Sequence, residues 1–220
     1  MKYTILVLAL ASVLLHACKD EKKVLPVVKP AATGTWIDSR DGSVYHWVRY
    51  GNLEWMSENM RILPKAGSAA TFKGSLSEEI SEEELQRYGY LYDFTAANNV
   101  ATEEWRLPSD KDWQTLENCL GMSEAEMRQT GWRGDFIGTL MMQDESGSGL
   151  NMKCGGYAHD LGGFGTRRFG VDGIYWSSTA DETTEGYAWC RMLTFNKDQV
   201  RRESMTTKRY MSVRLVRNTK

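Results

Sequence analysis

Apolar and polar positions alternate in short runs along much of the chain, and turn-forming residues break the runs at close intervals. Ser39-Arg40-Asp41-Gly42 reads as a tight hairpin turn, because Asp-Gly accepts the positive φ values such turns need. Val44 to Tyr50, Gly51-Asn52 and Leu53 to Met56 then predict strand, turn, strand. Ser75 to Arg87 carries five glutamates against Leu76, Ile80 and Leu85, the pattern of a short solvated helix or an acidic loop. Ser109-Asp110-Lys111-Asp112 opens a clearer helix. Ser109 is its N-cap, acidic residues fill the first turn, Trp113, Leu116 and Leu120 share one face, and Gly121 stops it. A second short helix spans Ser123 to Gln129 and ends by Gly131. Beyond Gly147 the chain turns β-like, with seven glycines between Gly155 and Gly173. Tyr187 to Phe195 and Tyr210 to Arg217 read as strands, and Asn196-Lys197-Asp198 as a turn. On the last strand Met211, Val213 and Leu215 alternate with Tyr210, Ser212 and Arg214, giving a buried and a wetter face. Strands at both ends with helices between them predict an α+β domain whose termini pair in one sheet.

The start of the chain follows a different pattern. Lys2 is followed by an apolar run from Tyr3 to Leu15, and Leu15-His16-Ala17-Cys18 closes it with a small residue before a cysteine. The run is too short to span a bilayer, and the polar stretch Lys19 to Lys23 follows at once. The segment resembles a bacterial lipoprotein signal. That resemblance implies removal of residues 1–17, lipidation of Cys18 and anchoring in the outer membrane by several acyl chains. Residues 18–34, with Pro26 and Pro30 and no periodic apolar face, read as a flexible tether to a folded body starting at Thr35.

Composition narrows the function. The chain has 220 residues, 41% of them hydrophobic and 25% charged, and its 8 Trp, 10 Tyr and 6 Phe exclude a disordered chain. With 27 basic and 29 acidic residues the net charge is -2, so no global positive field is available to hold nucleic acid. Trp36, Trp55, Trp105, Trp113 and Trp176 are expected in the core.

Thr35 to Gly42 with Gly51-Asn52-Leu53-Glu54-Trp55-Met56-Ser57-Glu58-Asn59 begins an ordered set of blocks. Tyr88-Gly89-Tyr90-Leu91-Tyr92, Trp105-Arg106-Leu107-Pro108-Ser109, Gly131-Trp132-Arg133-Gly134, Gly155-Gly156-Tyr157, Tyr175-Trp176-Ser177-Ser178-Thr179 and Ser212-Val213-Arg214 follow. Over residues 35–217 this order resembles the Fibrobacter succinogenes major paralogous domain family of exported bacterial proteins. The family is similar in turn to C-type lectin-like and formylglycine-generating-enzyme-like folds, which implies a small mixed, mainly antiparallel sheet with flanking helices and long glycine-rich loops. The family usually has a cysteine four residues before the Trp of the Trp-Arg-Leu-Pro block and another in its closing strand. Ala101 and Leu215 stand in those places, so the implied disulfide has neither half.

Cys119, Cys154 and Cys190 remain in the mature chain, and Cys119 reads as a small buried hydrophobe on its helix. Cys154 and Cys190 both fall in strand-like stretches; they form the one internal disulfide, or all three thiols stay free. No metal or cofactor is expected. Cys154 and His159 lack a second ligand pair, Arg40 spoils Asp38 to Gly42 as a calcium loop, and the Glu-Pro-Asn and Gln-Pro-Asp motifs of sugar-binding lectins are missing. The mature chain holds two histidines, His46 and His159, and His46 reads as a surface or core-edge ring. Ser177-Ser178 lacks a nucleophile elbow, and the glycines after Gly155 lack the ending of a phosphate loop. The expectation is therefore a non-catalytic, surface-exposed binding or adhesion module for a glycan or a surface protein. Its expected contacts lie in residues 143–173, chiefly Tyr157, His159, Asp160, Phe164, Arg167 and Arg168. The alternatives are a structural part of an envelope assembly and, behind it, an envelope hydrolase.

Overall fold

The computed structural model describes residues 24–73, 79–159 and 167–219. In chain order these form β1 (Thr33–Ile37), β2 (Val44–Tyr50), β3 (Leu53–Met56), β4 (Ala69–Ala70), α1 (Glu82–Tyr88), β5 (Leu91–Tyr92), α2 (Phe94–Asn99), α3 (Asp110–Cys119), α4 (Glu124–Met127), β6 (Gly131–Arg133), α5 (Ile137–Met142), β7 (Ala158–His159), β8 (Asp172–Ala180), β9 (Tyr187–Thr194), β10 (Val200–Thr206), β11 (Arg209–Ser212) and β12 (Val216–Asn218).

One sheet has the order β1-β2-β3-β12, and every pair in it is antiparallel. The first hairpin and the last strand therefore share a sheet, as the pattern predicted. The other sheet runs β4-β5-β11-β8-β9-β10-β6, with β7 added on β11, and its single parallel pair joins β11 to β8 at Ser212 and Tyr175. The fold is α+β with mainly antiparallel strands.

Local chemistry accounts for the elements. Gly42 takes φ +77° in the β1–β2 turn, and its N–H donates to Asp38 O at 2.7 Å. Ser81, Ser109 and Ser123 each close a capping box, with Glu84, Asp112 and Glu126 reaching back to the cap N–H groups. Helix α1 buries none of its residues, which matches the solvated helix read from its glutamates; residues 75–78 of that segment lie outside the described residues.

Trp55, Trp105, Trp113 and Trp176 are fully buried, and Trp36 packs from a half-buried position against the cluster that holds Trp105 and Trp176. Trp55 and Trp113 meet with ring centroids 4.8 Å apart, and the Trp113 and Trp176 indole N–H groups donate to Trp176 O and Tyr92 O at 3.2 and 2.8 Å. Leu215 is fully buried in the same cluster as Val100 and Trp105, so apolar packing surrounds the position where the resemblance implies a cysteine.

Three expectations need correction. The folded body begins before Thr35: Thr33 already pairs with Val48, Ala31 N–H donates to Arg49 O at 2.9 Å, and Val28 packs on the core. Tyr210 to Arg217 is not one strand, because the chain leaves β11 after Ser212 and enters the other sheet as β12 at Val216. Its expected wet face is also dry, since Tyr210, Ser212 and Arg214 are all buried. Cys119 is exposed rather than packed, although it stands three residues after Leu116, because it is the last residue of α3 and lies past the packed turns.

Candidate functional site

The glycine-rich segment brings some of its expected residues together. Tyr157 and Arg167 exchange backbone hydrogen bonds at 3.1 and 2.8 Å, the Tyr157 and His159 rings lie 5.4 Å apart, and Arg209 of β11 stands 5.1 Å from the Tyr157 ring. Burial lowers the His159 pKa, and Arg209 and Arg167 lower it further. Arg168 departs from this group. At φ +61° it turns its guanidinium onto Asp172, with Nε 2.5 Å from Oδ2, and Asp172 also accepts from Thr194 Oγ1 at 2.8 Å. Arg168 thus fastens the loop to β8. Cys18, Asp160 and Phe164 lie outside the described residues.

Cys154 and Cys190 do not bridge; both are free thiols, as is Cys119. Cys190 points across its sheet toward β10, donating its S–H to Glu203 O at 3.3 Å, and burial pushes its pKa well up. Cys154 lies on the segment leading into β7, where its carbonyl accepts from Gly170 N–H at 2.9 Å.

A larger feature lies elsewhere, over the first hairpin. Two cavities, of about 880 and 460 Å³, share His46, Ser57, Glu58 and Asn151 in their linings and so form one groove. Each shared residue is held by backbone. Ser57, just past β3, donates its N–H to His46 O and its hydroxyl to Gly149 O, both at 2.8 Å. Glu58 grips His46 twice: Oε2 accepts the His46 backbone N–H at 2.8 Å, and Oε1 lies 2.6 Å from Nδ1. A carboxylate can only accept, so Nδ1 carries the proton and Nε2 is left for another partner. Asn151 takes φ +50°, a left-handed conformation that asparagine tolerates better than most residues.

Beyond Asn151, the larger cavity runs to Lys153, Arg61 and the last turn of α1 at Arg87. Lys153 is fixed through its backbone, where N–H donates to the Tyr175 hydroxyl at 2.7 Å and O accepts from it at 2.8 Å. Gly173 allows this approach, because a Cβ there would stand 2.4 Å from Lys153 O. The Lys153 ammonium donates to Asn151 Oδ1. Its pKa is lowered by burial first, then by Arg214 and Arg87. The smaller cavity is walled by Trp47, whose indole lies over Gly34 and donates to Thr35 O at 3.3 Å.

Carboxylate, imidazole, carboxamide, hydroxyl and ammonium groups therefore meet along one wall, with an indole at one end. Such a set donates and accepts hydrogen bonds along an extended polar ligand. Of these residues the sequence marks His46 as an edge ring, and Asn151 and Lys153 fall inside the expected contact loop of residues 143–173 without being named there. Glu58 stands 12 positions from His46, and Asn151 about a hundred further on, so no local spacing marks the group; the hairpin register that sets His46 beside Glu58 is the one available signal.

Among the described residues, no group of three or more His, Cys, Asp or Glu is placed to hold a metal ion, and no helix is long and apolar enough to cross a membrane. No curated protein and no solved structure matches the chain. The family model of the Fibrobacter succinogenes major domain matches residues 48–217, a stretch that takes in Ser57, Glu58, Asn151 and Lys153 and leaves out β1 and His46. The chain belongs to the Fibrobacter succinogenes major domain family.

Proposed function

We propose that this protein is a non-catalytic binding module of the bacterial cell envelope, anchored to the outer membrane through a lipidated Cys18 and exposed at the cell surface, and that its groove holds a glycan. The observation that carries the reading is the continuous groove over His46, Ser57, Glu58 and Asn151. Its combined size suits an oligosaccharide, its wall offers the closely spaced donors and acceptors that sugar hydroxyls require, and Trp47 supplies an apolar ring face at one end. The lectin-like kinship implied by the family resemblance points the same way. The leader and Cys18 support the anchor.

A protein partner, including a larger envelope assembly, is the second reading. It is favoured by Ile37 and Val44, paired neighbours beside the groove that are 63% and 45% exposed.

Glycan-array screening of residues 24–220, with pull-down from envelope extract, tests the choice. Binding of a carbohydrate that falls about tenfold in Asn151→Ala supports the groove reading; stable capture of a protein with no carbohydrate bound favours the second. Mass spectrometry of the native chain should find acyl chains on Cys18, and an unmodified thiol there removes the anchor.

A further inference from the structure

The groove has an electrical asymmetry that points to the class of glycan. Arg214 is fully buried behind Asn151 and Lys153. Its Nε donates to Asn59 Oδ1 at 2.6 Å, Nη1 to Leu150 O at 2.6 Å and Met56 O at 2.8 Å, and Nη2 to Asn151 O at 2.9 Å. All four acceptors are neutral. Among the described residues the ion pairs involve other cations, and none includes Arg214, Lys153, Arg87 or Arg61. A charge removed from water without a counter-ion is costly, and its field reaches out through low-dielectric protein.

Of the acids that line the groove, Glu58 stands near enough to Arg214 and Asp144 near enough to Lys153 to offset part of this field, but neither forms an ion pair with it. Asp41 accepts from the backbone and hydroxyl of Ser43 within the hairpin turn, at 2.9 and 3.0 Å, and Glu58 is occupied by His46. Glu82 and Glu83 belong to the first turn of α1, and Glu82 faces Gln86. Glu83 stands four positions before Arg87, yet the two form no ion pair, and the Arg87 guanidinium lies 5.4 Å from the Tyr88 ring instead. Arg61 likewise turns toward Val44 O, at 2.7 Å, and the Tyr45 ring. The cavity is thus acidic at the hairpin and helix start and cationic at Lys153 and Arg87, with Arg214 behind them.

We propose that this cationic end receives the anionic group of an acidic glycan, a carboxylate or a sulfate. Lys153 and Arg87 contact it directly, while Arg214 acts from behind as the charge that the ligand completes. The inference rests on the glycan reading and adds the charge of the sugar to it.

The test uses the full chain in detergent and measures affinity for oligomers of galacturonate, mannuronate and glucuronate beside their methyl esters, and for sulfated oligosaccharides beside their desulfated forms. Esterification or desulfation removes charge and keeps the sugar backbone. The expected result is binding of at least one acidic series, weakened about tenfold or more when neutralised, with the series that binds identifying the anion. Lys153→Met and Arg87→Gln should each weaken acidic binding several-fold and weaken neutral sugars less, while Glu82→Gln should not weaken acidic binding. Arg87 is exposed, so Arg87→Gln remains informative if Lys153→Met misfolds. Equal affinity for charged and neutral forms, or binding of neutral sugars alone, overturns the inference and leaves the glycan reading standing. Failure of every carbohydrate overturns both.

Discussion

Arg191 and Arg214 are both fully buried guanidiniums, and their surroundings differ in the one respect that matters for a charge. Arg191, on β9, donates Nε to Glu117 Oε1 at 2.6 Å and Nη1 to Asp110 Oδ1 at 2.7 Å. Glu117 also accepts from Arg133 at 2.8 Å and Asp110 from Arg202 at 2.8 Å, so two carboxylates tie three guanidiniums into a closed network beneath α3. Burial alone would pull the Arg191 pKa down, but Glu117 and Asp110 outweigh it and raise it. Burial lowers the Arg214 pKa, and the neighbouring Tyr175 and Glu58 do not reverse that. The same side chain serves cohesion where it bonds to carboxylates and leaves part of its field facing the groove where it bonds only to neutral oxygens, with Glu58 acting on it without an ion pair.

Breaking the network should have the largest effect. Glu117→Gln leaves Arg133 without a carboxylate and Arg191 with only Asp110, which it shares with Arg202, and should cost about 3–5 kcal/mol in denaturant unfolding. A loss below about 1 kcal/mol would show that the two arginines do not differ as described.

Acid should act next. Burial alone would raise the Asp110 pKa, but Arg202 and Arg191 overcome it and bring it from 3.8 to about 2. A carboxyl depressed in the folded state contributes stability that is complete above its unfolded pKa and is lost as pH falls toward its folded value. The contribution, roughly 1–2 kcal/mol once solvent screening is allowed for, should therefore fade between about pH 4 and pH 2 and be missing from the pH profile of Asp110→Asn.

Ser109→Ala removes the cap that starts α3 one residue before Asp110, and should cost about 1 kcal/mol by thermal melting without touching groove binding. The smallest change sharpens the comparison most. Asn59→Asp gives Arg214 the counter-ion that Arg191 already has, since Asn59 Oδ1 is 2.6 Å from its Nε. It should weaken acidic ligands by about threefold to tenfold, with the folded circular-dichroism spectrum retained.

The sequence made the scaffold legible where short-range chemistry decides it. Asp41-Gly42 marked its turn, Ser109 and Ser123 marked their helices, and four of the five tryptophans expected in the core are buried there, with Trp36 half-buried at its edge. Three kinds of information were out of reach. Alternation over Tyr210 to Arg217 looked like one half-wet strand, because the departure from β11 after Ser212 depends on a second sheet that local pattern does not reveal. Arg214 was assigned to the wet face on its residue type, while its burial depends on carbonyls at positions 56, 150 and 151. The groove joins β2, the chain after β3, α1 and the segment at 151–153, so its residues become neighbours only through folding. The expected contact loop, residues 143–173, does include Asn151 and Lys153, but glycine density placed its named contacts after Gly155, where Tyr157, His159 and Arg167 do gather but Arg168 serves the scaffold.

Hydrogen exchange of the full chain, with and without a saturating acidic oligosaccharide, tests the central claim most directly. The account predicts slower exchange at residues 57–61, 85–88 and 151–153, with Tyr157, His159 and Arg167 unchanged. Protection confined to residues 157–168, or none along the groove, would contradict it.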